Sequence, residues 1–142
     1  MIHVSISEQT LRYAELSFPC STGKNGTGSQ EGSGRTPLGL FEIYSMHGEN
    51  APLMTIFQGR LPVGTYPDAA RGNDVILTRI LALNGLEEHN ANTRARYIYI
   101  HGTNEAHLLG TPASHGCIRL SPEHMLELFS RVHLGTRVSI QP

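Results

Sequence analysis

Charge is scarce in this 142-residue sequence: Asp, Glu, Lys and Arg make up 16% of it, and the formal net charge is -1. No block of lysine and arginine stands anywhere along it, which excludes the clustered positive charge of a nucleic-acid binder. No stretch approaches the roughly 18 apolar residues of a membrane-crossing helix. The opening run Met1-Ile2-His3-Val4-Ser5-Ile6-Ser7-Glu8 lacks the basic and apolar regions of an export leader. Cysteine is confined to Cys20 and Cys117, too few for a disulfide framework. The expectation is a cytoplasmic protein with reduced thiols that meets neither membrane nor nucleic acid, or a periplasmic one if a leader has been trimmed.

What is present suffices for a core. Hydrophobic residues make up 39%, and a domain of this length buries roughly 68–70% of the surface its unfolded chain exposes. No linker, repeat or low-complexity tract divides the chain, so residues 1–142 read as one domain. Ile2, Val4 and Ile6 alternate with polar residues at the period of a half-buried strand. Leu11 to Leu16 reads as its hairpin partner, with Ser7-Glu8-Gln9 near the turn. Further strands are expected at Leu38 to Tyr44, Thr55 to Gln58, Val75 to Leu83 and Tyr97 to Ile100, the last running into His101-Gly102. One helix is well signalled: Ser121 as N-cap, Pro122 at the first helical position and Glu123 at the positive end of the dipole. Met125, Phe129 and Val132 fall on one face, Gly135 ends the helix, and Thr136 to Ile140 is a closing strand. Many strands and one helix predict a mainly β sandwich or barrel-like domain.

Chemistry concentrates in Ser114-His115-Gly116-Cys117-Ile118-Arg119. A thiol is a nucleophile only as thiolate, so it needs a base or a positive charge nearby. His115 and Arg119 are close in sequence, and His101 ends a strand sixteen residues before Cys117. A glycine beside the thiol lets backbone N–H groups approach a reacting carbonyl, as an oxyanion hole requires. Cys20 reads instead as a small buried hydrophobe. The sequence holds eight histidines; His3, His47, His89, His124 and His133 read as surface or helix-face residues, and His107 as a loop residue. His101, His107 and His115 could be proposed as zinc ligands, but they lack tight pairs such as H-x-x-x-H. No metal or other cofactor is expected. The loop from Gly23 to Gly34 could be proposed as a phosphate cradle, but Asn25 follows Lys24 where Ser or Thr is needed. It reads as a flexible hairpin connection bordering the substrate cleft.

His101-Gly102-Thr103 followed by Ser114-His115-Gly116-Cys117-Ile118-Arg119-Leu120 resembles the signature of L,D-transpeptidase (YkuD-type) catalytic domains. Ser21-Thr22-Gly23-Lys24 and Thr36-Pro37-Leu38-Gly39-Leu40-Phe41 resemble a second recurrent block of that family, and the match spans roughly residues 2–140. The resemblance implies a β-sandwich-like L,D-transpeptidase catalytic fold with one clear α-helix after the cysteine. It implies Cys117 as nucleophile and His101 as its base, the latter oriented by the backbone carbonyl of Gly102. Backbone N–H groups near Gly116 and Cys117 would bind the oxyanion, and Ser114 and His115 would shape the pocket wall. Arg119, with its fixed fork of donors, would bind a substrate carboxylate. The implied substrate is a peptidoglycan stem peptide, a muropeptide, cut between its third residue and a terminal D-alanine through a thioester. The missing leader favours water as acceptor, hence an L,D-carboxypeptidase of murein recycling, with a cross-linking L,D-transpeptidase as the alternative. Covalent inhibition by a carbapenem is implied as well.

Overall fold

The computed structural model describes residues 1–142 apart from Arg71 and Asn73. Period-two alternation sets its frame. In β1 (Ile2–Ser5) the side chains of Ile2 and Val4 are buried and His3 is exposed. β2 (Thr10–Tyr13) and β3 (Leu16–Pro19) continue as an antiparallel meander. One strand was expected from Leu11 to Leu16. Two form, because Ala14 adopts the left-handed conformation at φ 52 and reverses the chain between Tyr13 and Leu16.

The remaining strands are β4 (Gly39–His47), β5 (Thr55–Gln58), β6 (Leu61–Thr65), β7 (Ile76–Gly85), β8 (Tyr99–Thr103), β9 (Ile118–Leu120) and β10 (Arg137–Gln141). All ten join one sheet in the order β3-β2-β1-β10-β4-β7-β5-β6, from which β8 and β9 branch at β7. β10 lies parallel to β1 and antiparallel to β4, so the two ends of the chain meet mid-sheet. β7 is the hub. It pairs with β4 over Ile80–Gly85, with β5 at Ile76 and Leu77, and with β8 across a bulge between Leu77 and Ile80. The fold is mainly β, a curled sheet with one α-helix. Two strands carried no sequence signal: β6 is exposed throughout and contains Pro62 and Gly64, and β9 is three residues long.

The helix α1 (Pro122–Arg131) is capped by Ser121, whose Oγ accepts from the His124 N–H at 3.2 Å. Pro122, Met125 and Leu128 are its buried residues, while Phe129 packs only partly. The helix ends at Arg131 because Val132 turns extended (φ -96, ψ 169); Gly135, expected as its terminus, serves the turn into β10 at φ 89.

Candidate active site

Parity along three strands builds the site. Leu81, Leu83, Ile100, Ile118 and Leu120 enter the main core with Met125 and Leu128 of α1. Ile80, Ala82 and Tyr99 belong to a second cluster on the other face, and Cys117 packs against it. Side chains two apart share a face, so Tyr99 with His101, and Cys117 with Arg119, stand together opposite the core. β8 and β9 run parallel with His101 beside Arg119. Cys117, His101, Arg119, Ser114 and His115 thereby line one cavity of about 200 Å³, together with Asp74 and Ile76. A larger groove of about 720 Å³ between β4, Arg79 and α1 contains none of these groups.

The turn carrying the thiol is clamped from below. Thr36 Oγ1 donates to the Gly116 carbonyl at 2.8 Å and accepts from the Gly23 N–H at 2.8 Å. Ser114 Oγ donates to the Cys117 carbonyl at 2.7 Å and accepts from the Gly116 N–H at 3.2 Å. That amide, expected in an oxyanion hole, is therefore already committed to Ser114. Gly116 sits at φ 123, and a Cβ there would stand 3.3 Å from the Arg35 carbonyl oxygen, so glycine is required. The glycine loop is anchored too: Gly23 bridges to Ser114, and Arg96 donates to the carbonyls of Gly28 and Arg35 at 3.1 and 2.6 Å. A flexible hairpin was expected there; these bonds to distant segments hold it instead.

His101 is buried, and its Nδ1 lies 2.7 Å from the Gly102 carbonyl oxygen. With Nδ1 donating there, Nε2 carries the lone pair of a neutral imidazole. Burial lowers the His101 pKa below its ordinary 6.5, with Arg119 acting the same way and the Gly102 bond and Asp74 opposing. Cys117 is pushed up to about 11, chiefly by burial and further by Asp74, while the Tyr99 N–H, Arg119 and Arg96 pull it down. The Tyr99 N–H donates to Sγ at 3.3 Å, and the thiol donates to the Tyr97 carbonyl at 3.4 Å. At neutral pH both groups rest uncharged, a thiol and a neutral imidazole lining one cavity, the pair of groups that Cys–His chemistry uses.

Arg119 differs from expectation. Only 1% of its side chain is exposed, and Nη1 donates to Asp74 Oδ1 at 3.1 Å and to Glu105 Oε1 at 2.6 Å. Nη2 donates to Ser21 Oγ at 3.2 Å. Of the fork expected to hold a substrate carboxylate, Nη1 is taken by two carboxylates of the chain itself and Nη2 by a hydroxyl, while Nε is buried without a hydrogen-bond partner among the described residues. Asp74 also reaches His115, whose Nδ1 is 3.4 Å from Oδ2 and whose side chain is 88% exposed at the cavity mouth. Neither Asp74 nor Glu105 had a sequence signal, because both lie far from the motif or on a loop. Thr36, by contrast, stood in the second recognised block. His107 is exposed on a short 3-10 turn outside the cavity, so the three histidines of the zinc reading do not converge. Cys20 is buried, its thiol raised to about 12 by burial.

The profile of the L,D-transpeptidase catalytic domain (YkuD) matches residues 1–140. The chain belongs to the L,D-transpeptidase catalytic domain family. Among its relatives is YkuD of Bacillus licheniformis, assigned as an L,D-transpeptidase, 34% identical over 102 residues that cover 66% of this chain and 62% of that protein. YbiS of Escherichia coli K12, likewise assigned, is 49% identical over 43 residues, 30% of this chain and 14% of that protein. The chain thus spans only part of each relative. The L,D-transpeptidase of Xylanimonas cellulosilytica (residues 123-326) superposes with a TM-score of 0.64 at 20% identity, covering 99% of this chain and 59% of that one. L,D-transpeptidase 3 of Mycobacterium tuberculosis, in complex with a faropenem-derived adduct, gives 0.62 at 22%, covering 99% and 59%. These superpositions show a shared fold. Among the described residues, no helix is long and apolar enough to cross a membrane.

Proposed function

We propose that this chain is a cysteine acyl-transfer enzyme acting on peptidoglycan stem peptides, and that it releases terminal D-alanine from murein tetrapeptides as an L,D-carboxypeptidase. The observation that carries the reading is Cys117 and His101 lining one cavity, with His101 Nδ1 tied to Gly102. His101 Nε2 takes the thiol proton as Sγ attacks the carbonyl joining the third residue to D-alanine. The tetrahedral intermediate collapses, the C–N bond breaks, and D-alanine leaves as an amine that takes the proton back from His101. The same base then deprotonates a water, which hydrolyses the thioester and frees the tripeptide and the thiol. The Cys117 N–H is the proposed oxyanion donor.

In either reading the thioester forms first and the acceptor decides the product: water gives the tripeptide, and the amine of a second stem gives a cross-link. Cross-linking is the second reading, favoured by the assignment of YkuD and YbiS as L,D-transpeptidases. A defined tetrapeptide, incubated alone and with a second stem as acceptor, separates them: tripeptide is expected, and preferential dimer formation would reject hydrolysis. Cys117→Ala should abolish both products, and His101→Ala should lower kcat by about 10²–10⁴. Wild-type rates in either variant would reject the mechanism.

A further inference from the structure

Arg119 is held by Asp74 and Glu105, so a substrate anion needs other cations near the Cys117 cluster. Tyr44 packs in the cluster that includes Cys117, Tyr99 and Ile80. Its ring is covered by Arg94, whose guanidinium carbon lies 4.0 Å from the ring centroid. Its hydroxyl accepts from Arg60 Nη1 at 3.5 Å. Two arginines are thus gathered on one phenol, and among the described residues neither is in an ion pair. The nearest acid on the Arg94 side is one residue removed: Arg94 Nε donates to Asn84, which donates to Glu42 Oε1 at 3.2 Å. Bringing like charges together without a counter-anion is unfavourable unless an anion completes the site.

The backbone at Arg60 points the same way. Arg60 follows Gly59 at the tip of the β5–β6 hairpin, and both residues are left-handed, at φ 59 and 67. The second position of such a turn ordinarily takes glycine, because a Cβ there is strained by about 1–2 kcal/mol. An arginine held at this position, reaching back to Tyr44, marks a place where strain is kept for a purpose. Arg60 also acts electrostatically on Tyr99, and so does Cys117, so both stand near that phenol.

We propose that Arg60 and Arg94, presented on the ring of Tyr44, form an anion subsite that binds a carboxylate carried by the acyl donor away from its scissile bond. The role of donor follows from the acyl-transfer reading above; the anion subsite stands on the geometry alone. Two measurements on the double variant Arg60→Gln, Arg94→Gln keep them apart.

The first needs no peptidoglycan. Modification of Cys117 by 6-maleimidohexanoate is compared with modification by the corresponding uncharged amide, located by mass spectrometry. The wild type should favour the anion, with a preference that shrinks in salt, and the double variant should lose that preference while reacting with the amide at the wild-type rate. An unchanged ratio overturns the subsite. The second uses a tetrapeptide with free carboxylates and the same peptide amidated at its internal carboxylates. The double variant should raise KM for the acid form about ten-fold or more with kcat retained, and leave the amidated form unaffected. A fallen maleimide ratio with unchanged KM overturns the assignment to the acyl donor. A fallen ratio in a protein that turns over no stem peptide rejects the acyl-transfer reading and leaves the anion subsite standing.

Discussion

At the scale of single residues, burial governs both members of the proposed catalytic pair, in opposite directions. Burial disfavours charge, so it lowers the imidazole of His101 and raises the thiol of Cys117. The acid limb of kcat/KM should therefore lie below pH 6.5, since the base remains neutral to lower pH than an ordinary histidine. Between the lowered folded value and 6.5 the unfolded chain binds more protons than the folded one. Stability from this group is thus complete above 6.5 and falls as pH drops through that window. Urea midpoints at a series of pH values, beside the rate profile, measure both; an acid limb above 6.5 contradicts the burial of His101. Arg119→Ala should act mainly on stability, because it leaves the Asp74 and Glu105 carboxylates without their cation. Those side chains remain 27% and 21% exposed, which places the loss at or below the low end of about 3–5 kcal/mol for breaking a buried pair. A raised KM with an unaltered unfolding midpoint would return carboxylate binding to Arg119.

At the scale of elements, the site is a seam between a rigid strand pair and a tied loop. β8 and β9 fix His101 and Cys117 on one face by parity, but the turn before β9 is held by contacts from residues 21–36. Thr36 links the Gly23 amide to the Gly116 carbonyl through one hydroxyl. Thr36→Val keeps the shape and removes both bonds, leaving a buried donor and acceptor unpaired at about 1–3 kcal/mol each. The expected result is a lower denaturation midpoint together with a lower kcat, because the turn that aims the thiol loosens. A stability loss with unaltered kcat would show that Thr36 supports the loop alone. The β5–β6 hairpin behaves differently: β6 is exposed along its whole length, so its contribution lies in where it places Arg60.

At the scale of the whole molecule, the curled sheet separates two kinds of thiol. Cys20 is sealed in the core with its thiol raised to about 12, whereas Cys117 opens onto the cavity. A carbapenem should therefore acylate the protein once, at Cys117. Intact-protein mass spectrometry is expected to show a single adduct that disappears in Cys117→Ala, and an adduct retained in that variant would contradict the assignment.

The strand alternation of Ile2 to Ile6, the capping of α1 by Ser121 and the run from His101 to Cys117 were legible in the sequence, because each is written in neighbouring residues. The split at Ala14 and the strand β6 were not, since a left-handed residue other than glycine and an exposed strand holding proline leave no periodic trace. The proposed reaction rests on that local writing: a thiol beside glycine, and a histidine in a strand. Only the tertiary structure decided the partners of charge. It brought Asp74 and Glu105 onto Arg119 from distant segments and, among the described residues, left Arg60 and Arg94 outside any ion pair, because ion pairing depends on distance through space, which spacing along the chain does not encode.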